Sequence, residues 1–367
     1  MLGIVLILIV SAIVYLQKPV KNVERVTTVA PAEAQPAETQ SAGETQTATQ
    51  TCVPKAAPPK SSPLAPELAG IAGYVNTKPF TLSELVGKKV ILIDVWTYSC
   101  INCQRTLPYI TAWYSKYKYQ GLEIVGVHSP EFDFEKKLEN VQRAVEKFNI
   151  KYPVVLDNDH ATWDAWSNRY WPAKYLIDID GRVVWHHFGE GEYDVAEAKI
   201  RELLMERKER LCIEDGMPTD MAKVKAEEVN FLRINTPEIY LGYAFSRGNF
   251  GNKEGLPAEQ FVQYALPSNT KENEVYLQGE WYVDKDNVRL MSESGKIVLK
   301  YDAKNVNIVA SSPGSDITVL VDSVEAGKVR VEPEDLYTVV SGKDYGEHLV
   351  TLDIAGTGFR LYTFTFG

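Results

Sequence analysis

Two cysteines separated by two residues, Cys100 and Cys103, are the side chains best placed to do chemistry. On a helix that spacing puts both sulfurs on one face, close enough to close a disulfide, which is the device of thiol–disulfide exchange. The pair lies in the stretch ILIDVWTYSCINCQRTLP, residues 91–108. Its apolar run reads as a strand buried on both faces. Ser99 is expected to cap the helix that begins at Cys100, and Pro108 to kink it. Cys100 then sits where unsatisfied N–H groups and the positive end of the helix dipole favour a thiolate.

A lone C-x-x-C supports three readings. Half a zinc site would need a second pair at ligand spacing, and His186-His187 stand far along the chain. A structural disulfide gains little from closing so short a loop. A redox dithiol fits the surroundings best. Asp94, six residues before Cys100 in an apolar run with no Arg or Lys partner in view, is expected to be buried with a raised pKa. Such a group can take the proton from Cys103 as it attacks a mixed disulfide; the plainer role is capping a backbone N–H. Trp96 is expected beneath the loop, His128 to be a structural histidine at a strand end, and Arg105 to be solvated.

Asp94, Trp96, Cys100, Cys103 and Pro108, with Trp171-Pro172 ahead of AKYLID, resemble the thioredoxin superfamily. The segment between GLEIVGVHS and YPVVLD is similar to its TlpA/ResA branch. WTYSCINCQRTLPY and VHSPEFDFE look most like the C-terminal periplasmic part of DipZ proteins, a thioredoxin-like unit followed by a carbohydrate-binding-module-like β-sandwich. The resemblance implies a cis Pro172 facing the dithiol, and with Trp96 and Trp171 a substrate-binding surface. It implies protein disulfides as substrates, no cofactor, and a separate membrane electron donor or acceptor, because DipZ's multi-helix electron carrier is replaced here by one short apolar stretch. Ile101-Asn102 replaces the Gly-Pro of thioredoxin, so the direction of transfer stays open.

The elements that must hold these residues alternate. After Pro108 the helix is expected to run to a C-cap at Gly121. EFDFEKKLENVQRAVEKFNI has a helical rhythm on Phe134, Leu138, Val141, Val145 and Phe148. ATWDAWSNRY reads as a short helix, the segment around Asp180-Gly181 as a hairpin, and VAEAKIRELLMERKERL as a closing helix. The alternation predicts a mixed α/β sheet, which the resemblance implies is thioredoxin-like. From about Val229 short alternating runs separated by Gly, Pro, Asn and Asp predict an all-β sandwich, jelly-roll-like. Tyr240, Tyr243, Trp281 and Tyr282 are core residues or stacking surfaces for a glycan, and Asp284, Asp286 and Asn287 an ordinary polar turn or a Ca²⁺ turn. Cys52 and Cys212 either pair or stay free.

The chain has 367 residues, 39 Lys+Arg against 49 Asp+Glu and a net charge of −10, which argues for two domains and against nucleic acid. MLGIVLILIVSAIVYL would rise about 24 Å as a helix, short of a ~30 Å hydrocarbon core, and reads as an uncleaved anchor. Lys18, Lys21 and Arg25 after it run against the positive-inside rule, but the downstream context outweighs them. The expected organisation is an anchor over 1–17, a disordered linker over 18–66, a redox domain over 67–211, a hinge over 212–228 and a sandwich over 229–367. The function this predicts is a membrane-tethered, extracytoplasmic thiol–disulfide oxidoreductase, with no metal. The alternatives are a thiol peroxidase of the same fold, or an envelope glycan- or protein-binding protein with a non-essential redox domain.

Overall fold

Seven consecutive buried residues place a strand at the centre of the first sheet, as the apolar run predicts. The computed structural model describes residues 61–214, 216–226 and 228–367. The apolar N-terminal stretch, most of the linker and Cys52 lie outside the described residues. Among those described, no helix is long and apolar enough to cross a membrane.

In chain order the first half contains β1 (Gly73–Val75), β2 (Val90–Trp96), α1 (Ile101–Tyr117), β3 (Leu122–His128), α2 (Leu138–Lys147), β4 (Val154–Leu156), α3 (Ala161–Ala165), β5 (Ala173–Ile177), β6 (Val183–Phe188) and α4 (Tyr193–Leu211). The sheet order is β1-β4-β3-β2-β5-β6, with β2, β3 and β4 parallel and the other pairings antiparallel. Side chains alternate along a strand. Ile91, Ile93 and Val95 therefore pack with Trp163, Trp166 and Tyr175 on one face. Leu92 and Trp96 pack with Leu107, Ile110 and Trp113 of α1 on the other, and the same parity puts Asp94 on that face.

One local expectation holds and one changes. Gly121 ends the helical segment after α1 at φ +105°, as expected. The helix of the 131–150 segment, however, starts only at Leu138, after a short 3-10 turn over Asp133–Lys136. Glu135 is the reason: its carboxylate turns back to accept the backbone N–H groups of Glu131 and Phe132. The start shifts the helical face, so Phe134, Val141 and Val145 are buried while Leu138 is 39% exposed.

The second half contains β7 (Ile239–Tyr240), β8 (Phe261–Tyr264), β9 (Val275–Val283), β10 (Val288–Leu290), β11 (Ser294–Ser311), β12 (Ser315–Val321), β13 (Val324–Val331), β14 (Asp335–Ala355) and β15 (Arg360–Phe366). All its named strand pairings are antiparallel. β11 pairs with β9 through its first residues and with β15 through its last, and its pairing with β14 shifts register at Ala303/Asn305 and Val306/Asn307. Such irregularities bend a strand, and the sheet curls over a core containing Trp281, Phe359 and Phe364.

The two halves share a core. Tyr240, Val309 and Tyr362 belong to the same apolar cluster as Trp96, Leu107, Phe132 and Phe134. Tyr362 lies 5.3 Å from Phe132 and 4.8 Å from Phe134, ring to ring, and Phe245 lies 5.8 Å from Phe132. A buried aromatic contributes roughly 2–3 kcal/mol, whereas partly exposed ion pairs such as Lys147–Asp335 and Lys137–Glu334 contribute about 0–1 kcal/mol each. Apolar packing therefore holds the halves together.

Candidate functional site

β2 ends at Trp96, and a three-residue turn delivers Cys100 to the start of α1. Cys100, not Ser99, caps the helix: its Sγ accepts the Cys103 N–H at 3.3 Å. Ser99 is diverted because a buried carboxylate competes for it; its hydroxyl donates to Glu135 at 2.6 Å and its N–H at 3.3 Å. The Gln104 side chain donates to the Tyr98 carbonyl at 2.8 Å and fixes the other side of the turn. Cys100 and Cys103 are free thiols. Cys100 is partly exposed and Cys103 buried, the asymmetry wanted of an attacking and a resolving thiol. Burial pushes the Cys103 thiol well up, and the neighbouring Cys100 adds to it.

Beneath the pair lies Asp94, buried as expected, with no hydrogen-bond partner on either carboxylate oxygen. Burial pushes it up to about 6, against the pull of Lys174. The expectation that no Lys or Arg accompanies Asp94 is corrected here. Lys174 stands opposite it in the β2–β5 register, its own pKa lowered by burial, and its ammonium donates to the Gly189 carbonyl at 3.2 Å. Spacing along one strand could not reveal a partner on another, although a lysine inside the apolar AKYLI run was the available signal. Trp96 is fully buried under the turn and so offers no surface to a substrate; it is the last residue of a strand covered on both faces.

The Trp171–Pro172 peptide bond is cis. The Trp171 indole N–H donates to the Ser129 carbonyl at 2.9 Å, and its ring lies 4.2 Å from that of Trp163. Next to this loop the Gly189 N–H bonds the Pro172 carbonyl at 2.8 Å. Tyr170 and Phe188, 54% and 41% exposed, hold their rings 5.0 Å apart. Nothing local marks that pair in the sequence, since each looks like an ordinary strand-end aromatic.

Arg105 is not solvated, because a partner lies across the fold: it pairs with Glu190 at 3.4 Å with both side chains nearly buried, and donates to the Phe366 carbonyl at 3.5 Å. His128 is buried between Trp96 and Tyr98, its Nε2 3.4 Å from the Thr97 hydroxyl, and burial lowers its pKa to about 3. It is structural. Cys212 is disulfide-bonded, while Cys52 lies outside the described residues.

In the second half Trp281 is core, and Tyr240 is buried between the halves. Tyr282 remains partly exposed beside Phe261 at 5.0 Å, with the Arg289 guanidinium 5.1 Å from its ring, and Tyr243 stays at the surface. Around Asp286 the turn is closed by its own bonds: Asn287 donates to the Asp286 carboxylate at 2.7 Å, and the Asp284 N–H to the Asn287 carbonyl at 2.9 Å. No group of three metal-ligating side chains occurs among the described residues.

The AhpC/TSA family matches residues 64–186, and a family described as "Thioredoxin like C-terminal domain" matches residues 236–367. The chain is similar to Protein DipZ of Mycobacterium bovis and of Mycobacterium tuberculosis, at 37% identity over 320 residues and 86% of this chain. It spans 44% of the length of those relatives. Thiol-disulfide oxidoreductase YkuV of Bacillus subtilis is 30% identical over 141 residues, 38% of this chain and 94% of YkuV. Thiol-disulfide oxidoreductase ResA of Bacillus thuringiensis is 29% identical over 133 residues, 34% of this chain and 74% of ResA.

Proposed function

The chain belongs to the thiol–disulfide oxidoreductases of the thioredoxin superfamily, in the TlpA/ResA/DipZ-like branch, and on that premise we propose that Cys100 and Cys103 exchange electrons with protein disulfides outside the cytoplasm. The thiolate of Cys100 attacks one sulfur of a substrate disulfide. A mixed disulfide forms, and the other substrate sulfur leaves as a thiolate and takes up a proton. Asp94 then accepts the Cys103 proton, and the Cys103 sulfur attacks that of Cys100. The enzyme disulfide forms and the second substrate thiol departs, so two electrons and two protons have passed to the substrate. A separate dithiol donor restores the enzyme, and the same steps in reverse oxidise a substrate dithiol. The observation that carries this reading is a part-exposed sulfur at a helix N-terminus, bonded by the N–H of a buried second cysteine. The part-exposed Trp171 and the exposed Tyr170–Phe188 pair supply the face for the substrate segment, and the backbone at Trp171 and the buried Pro172 positions it.

The test is mixed-disulfide trapping on insulin: Cys103→Ser accumulates a covalent adduct that Cys100→Ser does not form. A wild-type protein that equilibrates with neither insulin nor glutathione would overturn the reading. Peroxide turnover, the other chemistry considered for this fold, is read in the same preparation.

Two supports favour a tethered protein beyond the cytoplasm: the apolar N-terminal stretch, and the disulfide at Cys212, since disulfides persist in oxidising compartments. Protease accessibility in intact cells tests it. For a glycan ligand of the second half, the support is one outer sheet face. There the register aligns Phe261 with Tyr282 and Gln263 with Glu280, beside an open cavity of 480 Å³ lined by Gln278, Ser292, Lys296 and Asp353. Aromatic faces next to amide and carboxylate groups suit sugar rings. Retention on cell-wall glycan, lost in Phe261→Ala, is the measurement.

A further inference from the structure

The C-terminal β half reaches the dithiol by three routes. The Tyr98 hydroxyl, two residues before Cys100, donates to the Glu334 carbonyl at 3.4 Å in the turn between β13 and β14. Arg105, two residues after Cys103, donates to the Phe366 carbonyl of β15 at 3.5 Å. The third route is a relay. The Tyr240 hydroxyl of β7 donates to the Glu131 carboxyl at 2.7 Å. The Glu131 N–H donates at 2.6 Å to one oxygen of Glu135, whose other oxygen takes the Ser99 hydroxyl at 2.6 Å.

Each link of the relay is constrained. Glu135 is fully buried, and its two oxygens hold the 131–132 backbone on one side and Ser99 on the other. The Tyr240 oxygen lies 2.7 Å from Glu131 and 3.2 Å from Glu238 but has one hydrogen to give, so the two contacts are satisfied together only when one carboxyl carries a proton. The Arg247 guanidinium, 4.2 Å from the Tyr240 ring, holds the phenol in place. A shift of Tyr240 is thus passed to the residue next to Cys100 through short bonds and buried backbone.

We propose that the C-terminal domain is a working part of the redox centre, with Tyr240 and Glu135 as positioning residues that set the equilibrium between the dithiol and disulfide forms of Cys100 and Cys103. Because coupling is reciprocal, oxidation of the pair in turn changes how firmly β7 is held against the 131–135 segment. The inference rests on the dithiol reading above.

The test is a double-mutant cycle on the full chain with Tyr240→Phe and Ser99→Ala, read as the equilibrium constant with glutathione and as the pH titration of Cys100 thiolate absorbance. Tyr240→Phe is expected to change the constant at least threefold, and the two substitutions to be non-additive. Tyr264→Phe removes another buried phenol hydroxyl of the same half, bonded to the Gly255 carbonyl at 2.7 Å. It is expected to leave the constant unchanged, which separates coupling from loss of stability. Additive effects, or an unchanged constant and titration in Tyr240→Phe, overturn the inference while leaving the dithiol reading intact. A wild-type protein inert towards glutathione overturns that reading instead.

Discussion

Asp94 and Lys174 face each other across the antiparallel β2–β5 pair, each only 1% exposed. They form no ion pair: both Asp94 oxygens lack a hydrogen-bond partner and the Lys174 ammonium bonds the Gly189 carbonyl instead, so the carboxyl bears the cost of burying a polar group unpaired. A carboxyl buried without a bonded partner, with a lysine tuning it through the field, is therefore better explained by proton handling than by holding the fold.

Lys174→Met leaves Asp94 without the positive charge that lowers its pKa, so the carboxyl titrates above 6. The pH midpoint for resolution of a Cys100-linked mixed disulfide should rise by about one unit, equivalent to ~1.4 kcal/mol. Stopped-flow release of the substrate thiol against pH measures it, and an unmoved midpoint would detach Lys174 from the chemistry.

Asp94→Asn keeps the shape and removes the base. Resolution by Cys103 should slow by about 10²-fold, while attack by Cys100 keeps its rate, so mixed disulfide accumulates in single-turnover experiments. Stability carries a second sign. The folded pKa of about 6 exceeds the ordinary 3.8 of an aspartate, so the burial cost is absent below about 4 and fully incurred above about 6. Wild type therefore loses up to about 3 kcal/mol across that window from this group, Lys174 already included. The variant should not show that slope in urea titrations.

His128 works in the opposite direction. Burial lowers its pKa from 6.5 to about 3, so its contribution is intact above about 6.5 and is lost as pH falls towards 3. Replacing His128 with Gln should flatten the acid limb of the thermal-stability curve. An unchanged limb would place the acid sensitivity elsewhere.

Glu131 is raised to about 8, with burial the main cause; Tyr240, Glu135, Glu238 and Arg247 surround it. A raised carboxyl favours folding when protonated, so the contact between the halves should weaken as pH rises from about 4.5 through 8. Glu131→Gln keeps an acceptor for Tyr240 and should remove that decline. Calorimetry of both proteins from pH 5 to 9 decides it.

The strand–turn–helix around the dithiol was legible because it is local. An apolar run, a turn and a cysteine pair one helical turn apart depend only on periodicity. The same held for the Gly121 stop. What failed was competition between distant groups. Ser99 read as a cap until Glu135 claimed its hydroxyl, Arg105 read as solvated until Glu190 met it, and the helix after Phe134 read as starting a turn too early because Glu135 folds back. Tyr240 and Tyr282 look alike in the sequence, yet one is sealed between the halves and the other stays at the surface.

By itself the sequence determined the candidates: two cysteines one helical turn apart at a helix start and a carboxyl inside the preceding apolar strand, since each follows from short-range pattern. Tertiary structure decided which charges accompany that carboxyl and whether the second half is a neighbour or a partner of the site. Those answers depend on strand register and on contacts between residues more than a hundred positions apart, such as Glu131 and Tyr240, which no single-chain periodicity encodes.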